Sequence, residues 1–146
     1  MRVIIQRVKK ASCIVDNNVV GSINKGYMLL VGFTHTDTIK EVETMAQKIN
    51  NIRLFDDENG KINLNIHDAN GEILSISQFT LYGNTHKSNR PSFTDSMNAN
   101  DAKTLYDYFN ELLTKKWQIN VETGCFGAHM YLDIECDGPV TITLEV

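Results

Sequence analysis

Residues 27 to 33 read YMLLVGF and leave no polar face anywhere along the run. A strand that is apolar on both sides must be covered on both sides, so a chain containing it needs layers above and below. Two segments have the helical period that supplies such cover. In TIKEVETMAQKINNI, residues 38 to 52, the side chains of Ile39, Val42, Met45, Ala46 and Ile49 fall on one face, and Thr38 with Glu41 has the spacing of a capping box. From Asp101 to Lys116, Ala102, Leu105, Phe109, Leu112 and Leu113 share a face; Asn100 is the candidate N-cap, and Lys115 and Lys116 suit the C-terminal end. The remaining periodic segments alternate. Val3, Ile5 and Arg7 interleave with Ile4, Gln6 and Val8; ASCIV and VVGSI flank the turn DNN; RLF ends at the turn DDENG; GEILSISQFTL, QINVE, MYLDIEC and TITLEV read as further strands. These strands outnumber what two helices can cover, so part of the sheet must pack on another sheet layer or on a second subunit. The expectation is one mixed α/β domain over residues 1–146, layered β/β/α, with a largely antiparallel sheet and two main helices.

Charge and composition remove several functional classes. A net charge of −4 argues against a broad duplex-binding face, which must be basic, yet leaves room for contact confined to a nucleic-acid end. No apolar run approaches the roughly 20 residues that span a bilayer. The opening MRVIIQRVKK has too short an apolar stretch and no small-residue cleavage site for a signal peptide, so a cytosolic protein is expected. Cys13, Cys125 and Cys136 are odd in number and widely spaced, and His35, His67, His86 and His129 are as scattered; neither a disulfide framework nor a metal-ligand motif is visible.

Four polar stretches invite a functional reading beside a structural one. SQFTL ends an otherwise apolar strand: in a regular strand Ser77 and Phe79 would face one way, Gln78 and Thr80 the other, and no local base stands by to activate a hydroxyl. The plain alternative is a strand end wetted by solvent. CDGPVT joins Gly138 to Pro139, either a turn into the last strand or a rigid loop with carbonyl oxygens aimed outward. In THKSNRPSF, Lys87 and Arg90 can meet phosphate and Phe93 can stack, or the stretch is a solvated loop. ETGCFGAHM offers close backbone approach at Gly124 and Gly127 and apolar faces at Phe126 and Met130, or a packed turn.

Taken together these stretches resemble the D-aminoacyl-tRNA deacylases, also called D-tyrosyl-tRNA deacylases. The likeness runs through MRVIIQRV, KGYMLLVGF, KINNIRLFDDENGKINLN, SQFTLYG, RPSF, LYDYF, VETGCFGAHM and DGPVT, and its most specific sign is Ser-Gln-x-Thr-Leu followed late by Gly-Pro-x-Thr. One position departs: Cys136 stands where the family usually has Asn, two residues before the glycine.

The resemblance implies a homodimeric hydrolase, without metal or other cofactor, that cleaves the ester joining a D-amino acid to the 3′-terminal adenosine of tRNA. It implies that Ser77, Gln78, Phe79 and Thr80 line the ester, that a backbone N–H near Phe79 or Thr80 receives the oxyanion, and that Gly138 and Pro139 of the partner subunit, joined by a cis peptide, select chirality. Arg7 would brace that loop, Phe126 and Met130 would sandwich the adenine, and Lys87 and Arg90 would touch CCA phosphates. Thr80 is a candidate nucleophile in the family, but with no base beside it the tRNA 2′-hydroxyl is the better candidate to assist. The alternative function is a non-catalytic dimeric module that binds tRNA 3′ ends.

Overall fold

The structure is a computed structural model that describes residues 1–86 and 88–146. Its first strand, β1 (Arg2–Val15), turns through Asp16 and Asn17 into β2 (Asn18–Ile23). Both turn residues have positive φ, 49° and 63°, a conformation that Asn and Asp tolerate best among residues with a Cβ. Then follow β3 (Gly26–Gly32), α1 (Ile39–Asn51), β4 (Phe55–Asp56), β5 (Ile62–Leu64), β6 (Glu72–Ser77), α2 (Ala99–Glu111), β7 (Val121–Thr123) and β8 (Tyr131–Glu145).

The main sheet runs β2-β1-β3-β6-β7, with β8 added along β1, and β4-β5 is a separate hairpin. β1 is antiparallel to β2, β3 and β8, while β3–β6 and β6–β7 are parallel. The sheet is thus mixed, with antiparallel pairing in the majority. β3 is buried almost throughout, as its composition requires. Val3 and Ile5 of β1, Tyr27, Leu29 and Val31 of β3 and Ile73 of β6 pack under Val42, Met45, Ala46 and Ile49 of α1 and Phe109 of α2. On the other side Val8, Ala11, Cys13, Ile23, Met28, Leu74 and Ile76 form a second cluster. β2 folds over to close it: a Cβ added at Gly21 would lie 2.5 Å from the Thr123 carbonyl oxygen, so only glycine lets β2 pass this close to β7.

Thr38 and Glu41 form the expected capping box, and the buried face of α1 is as expected except for Ile39, which is exposed at the first turn. In α2 the cap is Asn98 rather than Asn100: its side chain accepts from Asp101 N, and Asn100 lies already inside the helix. The helix proper ends at Glu111 and runs on as a π turn over Leu112–Lys116. MYLDIEC and TITLEV, expected as two strands, are one strand, β8. Gln6 pairs with Thr141 and Val8 with Cys136, so Asp137, Gly138, Pro139 and Val140 all stand opposite Arg7. That insertion is a long bulge, which lets the ladder resume on either side of the Gly-Pro unit. Among the described residues, no helix is long and apolar enough to cross a membrane.

Candidate active site

β3 and β6 run side by side with Val31 opposite Ser77, so their carboxyl ends open in the same direction. The strand expected to continue to Leu81 stops there. Gln78 still donates its N–H to Val31 O at 2.7 Å, but its backbone leaves the ladder and Phe79–Tyr82 close into a short 3₁₀ turn. The alternation expected for Ser77 through Thr80 is therefore replaced by a turn. Its first N–H groups, those of Phe79 and Thr80, donate to no carbonyl among the described residues. The turn is fastened at its end by Arg2, whose Nη1 donates to Leu81 O at 2.6 Å while the guanidinium lies over the Tyr82 ring.

A cavity of about 580 Å³ opens beside this turn, within the range of small-molecule sites. Its inner wall is apolar, with Val31, Phe33, Ile76 and Ala102 among the lining groups. Ser77, Gln78, Phe79, Phe126 and Met130, drawn from two distant parts of the sequence, line it together. Phe79 is 58% exposed and meets Phe93 edge-on, with ring centroids 5.1 Å apart. Phe126 leans on Tyr106 at 5.8 Å, and Tyr106 is anchored through its hydroxyl to Ser75 O at 2.7 Å. Burial raises the Tyr106 phenol pKa, so it stays a neutral donor.

Thr80 is exposed, does not line the cavity, and is hydrogen-bonded to the Gln78 amide. Among the described residues no imidazole or carboxylate hydrogen-bonds to Ser77 or Thr80; the Thr80 hydroxyl is met by the Gln78 amide. Nor, among them, do three His, Cys, Asp or Glu side chains gather to hold a metal ion. Arg90 is exposed on the loop after the turn, and Lys87 lies outside the described residues.

Gly138, Pro139 and Arg7 form a second locus. The Gly138–Pro139 peptide is cis, and Gly138 has φ +121°, where a side chain is strained; a Cβ there would also lie 2.8 Å from Val140 Cγ2. Arg7, only 4% exposed, donates through Nε to Asp137 O at 3.0 Å and through Nη1 to Leu54 O at 2.8 Å, with Asp56 Oδ1 at 3.2 Å. The Asp137 carboxylate is 3.4 Å from Nε. Arg7 pairs with Tyr27 and Ser77 with Val31, so four residues of β3, about 13 Å along the strand, separate the two levels. Within one chain the Gly-Pro unit does not line the cavity.

Sequence reading passed over Ser96, Met97 and His129, which also line the cavity, and Tyr106, which supports it. Ser96 and Met97 sit in a stretch without periodicity, and contacts distant in sequence, among them Met97 N to Phe33 O (3.0 Å) and Ser96 Oγ to Phe79 O (2.9 Å), give them a place. Tyr106 was one helical turn from residues already assigned to the buried face of α2, and its position relative to Ala102 and Phe109 was the available signal.

Fold and cleft thus describe a small mixed α/β protein whose site presents amides, hydroxyls and apolar walls. The chain belongs to the D-Tyr-tRNA(Tyr) deacylase family, whose sequence profile matches residues 4–145. It is 52% identical over 146 residues to a D-aminoacyl-tRNA deacylase of Lactobacillus gasseri, covering 100% of both chains. To the D-aminoacyl-tRNA deacylase of an Exiguobacterium species it is 54% identical over 145 residues, covering 99% of this chain and 98% of the relative. A solved structure named c-Myc DNA Unwinding Element Binding Protein is 40% identical and superposes with a TM-score of 0.94, covering 100% of this chain and 99% of that one.

Proposed function

We propose that this protein hydrolyses the ester joining a D-amino acid to the 3′-terminal adenosine of tRNA, releasing the amino acid and a reusable tRNA. The observation that carries the proposal is the Ser77–Phe79 tip at the mouth of an apolar cavity, in a chain matched by the deacylase family over residues 4–145. An aminoacyl ester is already activated, so placement and charge stabilisation are what an enzyme must add. The adenine enters the cavity between Phe126 and Met130, where base–aromatic stacking contributes about 1–3 kcal/mol. The ester then lies at the tip, its carbonyl oxygen toward the N–H groups of Phe79 and Thr80. Arg90, with Lys87, meets the CCA phosphates, and no cofactor takes part.

Chirality is read by a second copy of the chain. The Gly138–Pro139 unit of the partner subunit enters the site, and its carbonyl oxygens accept from the substrate α-ammonium. An L side chain would run into that unit, whereas a D side chain points away; glycine, with no side chain, passes, so glycyl-tRNA is also cleaved. The separation of the unit from the cavity of its own chain supports an intermolecular role. So does β8, which among the described residues pairs only with β1 and leaves Tyr131 65% exposed and Ile134 exposed.

The test is ester loss from D-tyrosyl-tRNA and L-tyrosyl-tRNA side by side. Rapid loss of the D ester alone is expected; equal loss from both, or from neither, contradicts the proposal, and binding without cleavage favours a tRNA-end binding module. Because the 2′-hydroxyl of the tRNA assists, Thr80→Ala keeps most of the deacylation rate. A fall to the level of a protein lacking the tip altogether would make Thr80 the nucleophile.

A further inference from the structure

We propose that Ser96 is a positioning residue for ester hydrolysis: by holding the carbonyl oxygen of Phe79, its hydroxyl fixes the direction of the Thr80 N–H. The inference rests on the assignment of the Phe79 and Thr80 amides to the developing oxyanion.

Ser96 Oγ donates to Phe79 O at 2.9 Å. That oxygen and the Thr80 N–H belong to one peptide unit. The unit is planar, and in the trans form its C=O and N–H point in opposite directions, so a partner that fixes the oxygen fixes the N–H on the other edge. The need for an outside partner is clear from the length of the turn. Four residues form too few internal bonds to hold their own orientation. Arg2 secures the far end at Leu81 O, and Ser96 secures the end nearest the ester.

Ser96 is itself mounted on rigid structure. Thr34 pairs with it in an antiparallel bridge, Thr34 Oγ1 donates to Asp95 O at 2.6 Å, and Thr34 N donates to the buried carboxylate of Asp37 at 2.8 Å. Met97 N closes the set on Phe33 O at 3.0 Å. The hydroxyl is thereby tied to the end of β3, the most buried strand, across 17 residues of sequence from the carbonyl it holds. Donation to a peptide oxygen also polarises that peptide, which makes its N–H a stronger donor as negative charge grows on the substrate. Both effects act where charge develops, so they bear on kcat and leave ground-state binding of tRNA alone.

The experiment measures kcat and KM on D-tyrosyl-tRNA for the wild type, Ser96→Ala and Ser96→Thr, with thermal unfolding of each. Removing an oxyanion donor outright costs 10²–10³ in rate, so misaiming one is expected to lower kcat about tenfold, with KM within about twofold and Ser96→Thr restoring most of the loss. A wild-type rate for Ser96→Ala, a loss confined to KM, or a threonine variant as slow as alanine overturns the inference. If the alanine chain does not fold, Ser96→Cys, which keeps only a weak donor, carries the same test and the same outcomes. Wild-type protein inert on D-tyrosyl-tRNA ends the functional proposal and this inference with it; an active wild type matched by Ser96→Ala ends this inference alone.

Discussion

Arg7 shows how one side chain ties a loop to a core. Its guanidinium is buried, yet it has two backbone carbonyls, at Asp137 and Leu54, and carboxylates at Asp56 and Asp137 around it. A planar fork with several donors can serve all of these at once, which an ammonium cannot. Removing it leaves two carbonyls without their donor, although water reaches both carboxylates. Arg7→Ala is expected to lower unfolding stability by about 2 kcal/mol, read from urea denaturation, and Arg7→Lys to recover only part of it. A change below about 0.5 kcal/mol would mean the bulge opposite Arg7 holds itself. Tyr82 makes a pH prediction at the same scale. Burial, and then the Asp37 carboxylate, push its phenol up to about 12, with Arg2 opposing. A neutral phenol favoured by the fold contributes stability that is whole below the ordinary tyrosine pKa of about 10 and is lost as pH rises toward 12. Burial raises Tyr27 and Tyr106 in the same direction. The melting temperature is therefore expected to hold up to about pH 10 and drop above it; a flat profile through pH 12 would contradict this.

Elements fixed by local chemistry were readable from the sequence, and those fixed by distant contacts were not. The cap and buried face of α1 follow from Thr38, Glu41 and the 3.6 period, all within one segment. The start of α2 was misplaced by two residues because Asn98 and Asn100 are both good caps, and only the hydrogen bond to Asp101 N chooses between them. Asn98→Ala is accordingly expected to cost about 1 kcal/mol and Asn100→Ala a few tenths; the reverse order would move the helix start. The end of β6 was hidden because Phe79 and Leu81 continue an apolar alternation that the backbone abandons at Gln78. The turn prevails where Arg2 and Ser96, from far away in sequence, hold its carbonyls. For the site, SQFTL, Phe126 and Met130 stood out as polar or apolar exceptions in their segments. Ser96 did not, since a serine in a polar loop carries no mark of its partner.

At the scale of the whole molecule, one chain contains a cavity and, elsewhere, a Gly-Pro bulge, held by Arg7, that does not reach it. Chiral selection as proposed requires two chains, each lending its bulge to the other. The direct test mixes two disabled proteins after joint unfolding and refolding: Gly138→Ala, which strains the bulge, and a Gln78→Ala/Phe79→Ala tip variant. A mixed dimer would then hold one site with an intact tip facing an intact bulge, and D-tyrosyl-tRNA deacylation should return to a fraction of the wild-type rate while each variant alone stays slow. No recovery in a mixture shown to contain mixed dimers, or a wild-type protein that is monomeric and still discriminates D from L, would contradict the account.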